Sequence, residues 1–228
     1  MAQNVGNAKN ILVGASPLFI SNIDVTDADY VDNAEPGTGD FAFIQGESFT
    51  TTLNNIDQVA GEFGYRNVGY TNNGLQVTYN PSYGSVTVDQ LLDTAKLFKE
   101  SMEVMIATEM AEGTLENVLA VFGQKSSTLT SAGTGLTATD KLGIEAGALG
   151  AAPTERQLIA VGQGPTSEAT ATERVYYARR VLSVQQSQFS LARNAATTFP
   201  VTFRLLPSGM AGNEGEEYGF IVDRVLVA

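Results

Sequence analysis

Four aspartates near the start of the chain stand at a spacing that could supply oxygen ligands to a cation: Asp24, Asp27, Asp29 and Asp32. A calcium-binding loop also needs a glycine at its middle and a glutamate at its end. Neither residue stands at the required position here. The pattern therefore favours a solvated acidic loop, and we expect no metal site and no cofactor.

Two glycine-containing segments could cradle a phosphate. The segment 123–126, Gly-Gln-Lys-Ser, resembles the end of a phosphate-binding loop, but the earlier glycine is missing and the preceding element is a predicted helix. The segment 162–164, Gly-Gln-Gly, lacks the third glycine and the following helix of a dinucleotide site. We expect neither segment to bind a nucleotide.

Basic and aromatic residues cluster once, at Arg174, Arg179 and Arg180 with Tyr176 and Tyr177. On a strand, Tyr177 and Arg179 share one face, and Tyr176 and Arg180 lie on the other. A platform that stacks nucleic-acid bases presents both residue types on one exposed face. We expect these arginines to form ion pairs with acids of a neighbouring strand or subunit, supplied by the acid-rich first half of the chain.

The residue inventory argues against an enzyme. The chain has no His and no Cys, which excludes Ser-His-Asp and Cys-His catalysis, thiolate nucleophiles and ordinary zinc sites. Glu109 and Glu112 form a carboxylate pair of the kind that glycosidases use, but the chain has no Trp to stack a sugar. We expect no catalytic residues.

The charge is uneven along the chain. The net charge is -12, and residues 1–120 hold 16 Asp and Glu against four Lys and Arg. Non-specific nucleic-acid binding requires a basic surface that releases counterions, so a phosphate-wrapping role is excluded. A polyanion near this chain is repelled.

The length of 228 residues suits one large domain or two small ones, and we expect a single domain over 1–228 with long loops at 24–64 and 123–156. The apolar stretch 11–20 is interrupted by Gly14, Ser16 and Pro17. It is therefore neither a signal-peptide core nor a membrane span, and we expect no membrane partner.

Alternating apolar and polar residues predict a mainly β fold. Expected strands lie at 11–14, 18–23, 102–110, 158–162, 174–188, 198–206 and 218–227. The stretch 69–88 predicts a strand, a turn and a strand, with turn sequences at 72–74 and 81–84.

One helix is predicted between Thr114, which caps it, and Gly123, which ends it. Apolar residues at helical spacing indicate the face that packs on the sheet, namely Leu115, Val118, Leu119 and Phe122.

Several segments, in this order, resemble the major tail tube proteins of long-tailed, non-contractile bacteriophages. They are 13–15 with 18–20, the turn Val68–Gly74, the helix start Glu112–Val118, and Phe199–Pro207 with a closing strand at 218–223. Phe63 and Tyr65 replace the aromatic residue, often Trp, that this family has before the turn. The stretch 124–156 has no counterpart.

The resemblance implies a tail-tube-type β-sandwich or partly open barrel with one flanking helix. It implies six copies per ring and stacked rings through which DNA passes without specific binding. It also implies that four strands per subunit join an inner barrel and that a long early loop contacts the next ring. We expect that stacking loop to contain Asp24, Asp27, Asp29, Asp32, Glu35 and Asp40, and we expect inter-subunit ion pairs at Arg174, Arg179 and Arg180.

Further partners implied by the resemblance are the tape measure, terminator and distal tail proteins, in a virion tail assembled in the host cytoplasm.

If first-half acids line the bore, polar residues such as Gln76, Thr78 and Asn80, or Thr202, face it, while Leu75, Val77, Tyr79 or Phe203 face the core. The competing expectation places the acids only on outer and inter-ring surfaces. The alternative function is a sugar-binding or adhesin-like β-sandwich on a cell or virion surface.

Overall fold

The computed structural model describes residues 14, 16–21, 65–90, 93–133, 139–150, 153–165, 172–191, 193–194, 196–209 and 214–225. Its strands are β1 (Leu18–Ser21), β2 (Tyr65–Asn67), β3 (Thr71–Thr87), β4 (Thr94–Met110), β5 (Leu129–Ala132), β6 (Thr139–Leu142), β7 (Arg156–Gln163), β8 (Thr172–Ser183), β9 (Phe199–Leu205) and β10 (Gly219–Val225). A helix, α1, spans Leu115–Val121, and a short 3-10 turn spans Ser126–Thr128. The fold is mainly β with antiparallel sheets, as predicted, and the strands of the described ranges do not close into a barrel.

Eight strands form the main sheet in the order β2-β1-β7-β8-β9-β4-β3, and β10 pairs with β8. Strands β10 and β9 pair with the same edge of β8 at different positions. Strand β10 pairs with residues 172–178 and β9 with residues 181–183. The strands β7, β8 and β9 are sequential antiparallel neighbours. The strands of the second half therefore form a meander only over β7, β8 and β9, because β10 pairs with β8 and not with β9.

Alternation places the core as expected in β4 and β9. Ile106 of β4 pairs with Phe203 of β9, and both side chains are buried. Leu18 and Ile20 of β1 and Leu158 of β7 belong to the same hydrophobic cluster. Strands near 102–110, 158–162, 174–188, 198–206 and 218–227 are confirmed with shifted ends.

The helix begins and ends where its sequence predicts. The Thr114 side chain accepts a hydrogen bond from the Asn117 N–H, and Gly123 has a φ of 62°. The Gln124 N–H donates to the Leu119 carbonyl, which closes the C-terminus.

The buried face of the helix differs from the predicted one. Leu119 is buried, but Leu115 and Phe122 are exposed, and the other buried helix residues are Asn117, Ala120 and Val121. The helix has only seven residues, and the hydrogen bonds of Asn117 fix which side faces the sheet.

The predicted turns at 72–74 and 81–84 are wrong. Both lie inside the continuous 17-residue strand β3 as register shifts against β4. Asn73 and Gly74 have φ angles of 62° and 68°, and here they form a bulge, which needs the same backbone conformation as a tight turn.

The predicted long loop at 123–156 is also wrong in part. Strands β5 and β6 pair within it as a two-stranded hairpin, with Leu129 opposite Leu142. The acidic loop at 24–64 and the residues 11–13 of the first predicted strand lie outside the described residues.

Candidate functional site

Three neighbouring strands place their outward side chains on one surface. Gln76, Ala107 and Thr202 stand opposite one another across β3, β4 and β9. The neighbouring rows extend this surface, which we call the polar face: Gln76, Thr78, Asn80, Glu103, Met105, Ala107, Thr202 and Arg204. The polar residues of β3 and β9, which the sequence prediction gave as alternatives, therefore lie on the same face, one strand on each side of β4.

The single cation of the polar face is paired. Arg204 Nη1 lies 3.4 Å from Glu103 Oε1, with side chains 47 % and 34 % exposed. Such an exposed pair stabilises the fold little. The pair places an acid beside the guanidinium, so that the charge of Arg204 is compensated.

One end of the polar face forms a shallow depression rich in neutral amides. Asn73, Gln76, Gln185 and Gln186 line it with Thr202. The Thr202 hydroxyl donates to Gln185 Oε1 at 2.8 Å. Segment 184–187 reaches this position because the Val184 N–H donates to the Thr202 carbonyl at 3.1 Å and so continues the line of β8.

Arg174 forms a bidentate ion pair across two strands. Its Nε and Nη2 donate to the two carboxylate oxygens of Asp223 at 2.6 Å and 2.7 Å, because the register sets Arg174 of β8 opposite Asp223 of β10. The hydrogen bonds from Arg174 lower the pKa of Asp223 below its ordinary value. The same bonds raise the pKa of Arg174.

Arg179 lies on β8 between the residues that pair with β10, 172–178, and those that pair with β9, 181–183. Its side chain is fully buried, and its Nη2 lies 3.2 Å from Glu216 Oε2. The guanidinium carbon stands 5.7 Å from the Tyr177 ring centroid and 5.9 Å from that of Phe220. Cation–π attraction and the ion pair together compensate the burial of this charge.

The third arginine, Arg180, donates from Nε to Glu155 Oε2 at 2.6 Å. Thus Arg174, Arg179 and Arg180 all pair with acids of the same chain, and those acids stand in its second half. The expectation that the acid-rich first half supplies the partners is wrong for these contacts. Inter-subunit pairing by the same arginines stays a prediction.

Asn117 is an interaction centre that the sequence prediction missed. It is buried, and its Nδ2 donates to the carbonyls of Val68 and Glu112 at 2.8 Å and 2.9 Å. Its Oδ1 accepts from Arg66 Nη1. Burial lowers the pKa of Arg66 to about 10, although the charge of Glu116 opposes this.

Glu112 completes the junction between the start of β3 and the helix. Its Oε1 accepts from the Tyr70 N–H at 2.9 Å. Gly69 stands beside it with a φ of 81°, and a Cβ there would overlap the Glu112 carboxyl group. The sequence signal that could have predicted this junction was the pair of segments Val68–Gly74 and Glu112–Val118, which the structure brings into contact.

Glu109 and Glu112, the carboxylate pair of the sequence, lie in β4 and just after it. Glu109 accepts from Asn72 Nδ2 at 3.2 Å, so Glu109 and Glu112 serve separate hydrogen bonds. Among the described residues, no cluster of three or more potential metal ligands occurs. Within the same residues, no helix has the length and apolar character needed to cross a membrane. The acidic residues at 24, 27, 29, 32, 35 and 40 lie outside the described part.

Comparisons with known proteins give no guide to the family. No known protein family matches the chain, and a search of curated proteins finds no relative.

Proposed function

We propose that this chain is a structural subunit that self-assembles into stacked rings, six copies to a ring, and so forms the tail tube of a long-tailed, non-contractile bacteriophage. DNA passes through the tube to the host, and the subunit performs no catalysis. The site of action is the virion tail, assembled in the host cytoplasm. The partners are other copies of the chain and the tape measure, terminator and distal tail proteins.

The architecture supports this proposal. The described part of the chain is mainly β with one helix, and β8, β9, β4 and β3 are four neighbouring antiparallel strands. The resemblance to tail tube proteins implies four strands per subunit in the inner barrel. Along its outer edge, β3 has no partner strand among the described residues, and a ring of subunits removes such edges.

The observation that carries the proposal is the polar face. A bore must let a polyanion slide, and a bare cation there would hold phosphates through counterion release. The polar face presents amides and hydroxyls, and its cation, Arg204, stands beside Glu103. The opposite side of β4 and β9 carries buried apolar residues such as Ile106 and Phe203. Strands with one polar side and one apolar, buried side are suited to separate a water-filled lumen from a packed core.

Electron microscopy of the purified protein over a range of concentrations tests the assembly. Six-fold rings or tubes are the expected result. A protein that stays monomeric under all conditions, or forms only small closed oligomers, contradicts the proposal.

The orientation of the polar face is tested with added cations. The double variant Thr78→Lys/Thr202→Lys should form tubes that retain short duplex DNA, with a strong dependence of binding on salt concentration. The matched control is Thr130→Lys/Ser131→Lys, which places two lysines on exposed positions of β5. Equal DNA retention by both variants would show that the polar face does not line the bore.

A sugar-binding module is the second candidate, and the amide-rich depression favours it. Asn73, Gln76 and Gln185 offer groups that suit sugar hydroxyls. The described lining of the depression contains no aromatic ring on which a sugar could stack. Saturable sugar binding by the monomer, lost in Gln76→Ala, would favour this candidate over the tube.

A further inference from the structure

Asn73 and Gly74 form the only Asn-Gly pair of the chain. They lie in the bulge of β3, where the regular register with β4 stops after Asn72 and resumes at Gln76. The three residues between these positions have only Thr108 opposite them, so a bulge residue is not held in a regular pair. Both residues of the Asn-Gly pair are exposed.

An Asn-Gly pair carries the groups for a reaction within the main chain. The glycine amide nitrogen attacks the asparagine side-chain carbon Cγ, so that a new C–N bond forms and the Cγ–Nδ2 bond breaks. The leaving amide takes the proton of the glycine N–H and departs as ammonia. Water then opens the five-membered succinimide ring at either carbonyl carbon and gives aspartate or isoaspartate. Ring closure is favoured because the two groups belong to adjacent residues, and glycine has no Cβ to hinder their approach.

The bulge leaves the asparagine side chain and the glycine unobstructed. Of the hydrogen bonds between described residues, two reach this bulge from side chains of β3 and β4, and neither involves the Asn73 amide. Asn72 Nδ2 donates to Glu109 Oε2 at 3.2 Å, and Thr108 Oγ1 donates to the Gly74 carbonyl at 2.9 Å. A Cβ placed at Gly74 would meet no atom within 4 Å. The glycine therefore has room to turn its nitrogen toward Asn73 Cγ.

We propose that Asn73–Gly74 is a modification site, at which the folded chain loses ammonia and gains a carboxylate. The reactants are the chain itself and water. The product carries one more negative charge at neutral pH, because an aspartate carboxyl has an ordinary pKa of about 3.9. The inference does not rest on the proposed function and stands whether or not the chain forms tubes.

The modification changes the depression at the end of the polar face. Asn73 lines this depression together with Glu109, so a neutral amide becomes an acid in a depression that already contains one. The isoaspartate product also lengthens the main chain by one carbon, at a place where no regular strand pair has to be broken. The depression of an aged protein is therefore more acidic than that of a newly made one.

Two other asparagines serve as controls within the same molecule. Asn67 precedes the β-branched Val68, and its Oδ1 accepts a hydrogen bond from the Gly69 N–H at 3.0 Å. Asn80 precedes Pro81, which has no N–H with which to attack. We expect both side chains to stay amides while Asn73 reacts.

Storage of the folded protein at mildly alkaline pH, followed by peptide mapping with mass spectrometry, tests the proposal. Position 73 should convert to aspartate and isoaspartate at least about tenfold faster than positions 67 and 80, a difference of about 1.4 kcal/mol in activation free energy. Conversion at position 73 that is no faster than at these two positions overturns the proposal.

A comparison with the unfolded chain separates the bulge from the dipeptide alone. An asparagine held in a regular strand pair is protected by folding, because the pair must open before the ring can close. The rate at position 73 in the folded protein should therefore lie within about tenfold of the rate in guanidinium chloride. Stronger protection by folding overturns the proposal.

Two matched variants identify the source of the acidic form. Isoelectric focusing of stored wild-type protein should show a band with one added negative charge. Asn73→Gln should lose this band, because a glutamine would have to close a larger ring, and Asn80→Gln should retain it. Both substitutions lie at exposed positions of β3, and circular dichroism checks the fold. An acidic band that persists in Asn73→Gln overturns the proposal.

Discussion

The two strands of the hairpin β3–β4 have the same alternation but different surroundings. Ile106 and Val104 of β4 are 3 % and 8 % exposed, whereas their partners in β3, Val77 and Tyr79, are 47 % and 59 % exposed. Alternation determines the side to which a residue points. Burial depends on the neighbouring elements: β4 lies between β3 and β9, whereas β3 has no second partner strand among the described residues.

Truncation of a core residue and of an exposed β3 residue should give the largest contrast. Phe203→Ala should lower the free energy of unfolding by about 3 to 5 kcal/mol, because it leaves a cavity under β9. Tyr79→Ala, on the exposed edge strand β3, should change it by less than about 0.5 kcal/mol in the monomer. Urea denaturation at low protein concentration measures both, and similar losses would show that Tyr79 is covered within one chain.

Removal of the buried amide should have the next largest effect. Asn117→Ala leaves the carbonyls of Val68 and Glu112 and the Arg66 guanidinium without this partner, so we expect a loss of about 3 kcal/mol. Asn80→Ala, at an exposed position of β3, is the control and should be nearly neutral. An equally small effect of both changes in thermal unfolding would contradict the role of Asn117.

Two glycines with similar positive φ angles allow the cost of backbone strain to be measured apart from the cost of a steric clash. Gly74→Ala meets no atom within 4 Å, whereas a Cβ at Gly69 overlaps the Glu112 carboxyl group. Both changes should cost about 1 kcal/mol for the positive φ. Gly69→Ala should cost about 1 kcal/mol more, because Glu112 must release the Tyr70 N–H. Equal unfolding midpoints would exclude the collision.

The smallest expected effect is the pH dependence of the Arg174–Asp223 pair. The folded protein lowers the pKa of Asp223, so the pair stabilises the fold above the ordinary Asp pKa of about 3.9. This stability is lost as the pH falls through the lower folded value. Both groups are exposed to solvent, so the contribution should be below about 1 kcal/mol. Arg174→Gln should therefore lower the unfolding midpoint slightly at pH 6, and the difference from wild type should shrink as the pH falls below the ordinary Asp pKa of about 3.9.

The strands and the helix were predictable where local chemistry decides the structure. Phe199–Leu205 alternates cleanly, and Thr114 and Gly123 are strong helix signals because each satisfies groups at one end. Asn73 and Gly74 misled the prediction, because their positive φ suits a turn or a bulge equally well. The pairing of β3 with β4 decides between the two.

The candidate site was predictable only in its parts. Gln76 and Thr202 were recognisable as outward residues of two strands, but their adjacency depends on β4 lying between those strands. Asn117 escaped prediction because a polar residue on a short helix usually faces solvent. Its burial depends on contacts with Arg66 and Val68, about 50 positions away in the sequence.

The pairing of β1 with β7 also has a consequence for the order of folding. Arg156 Nη1 donates to the Ser21 carbonyl, and these two residues are 135 positions apart, whereas β3 and β4 are consecutive strands. The end of β7, Gln163, is synthesised 53 residues after the end of β4, Met110, which takes about 3 to 10 seconds at elongation rates of about 5 to 20 residues per second. The hairpin, which carries the exposed Val77 and Tyr79, can therefore form first. We expect premature contact between nascent hairpins to compete with closure of the main sheet.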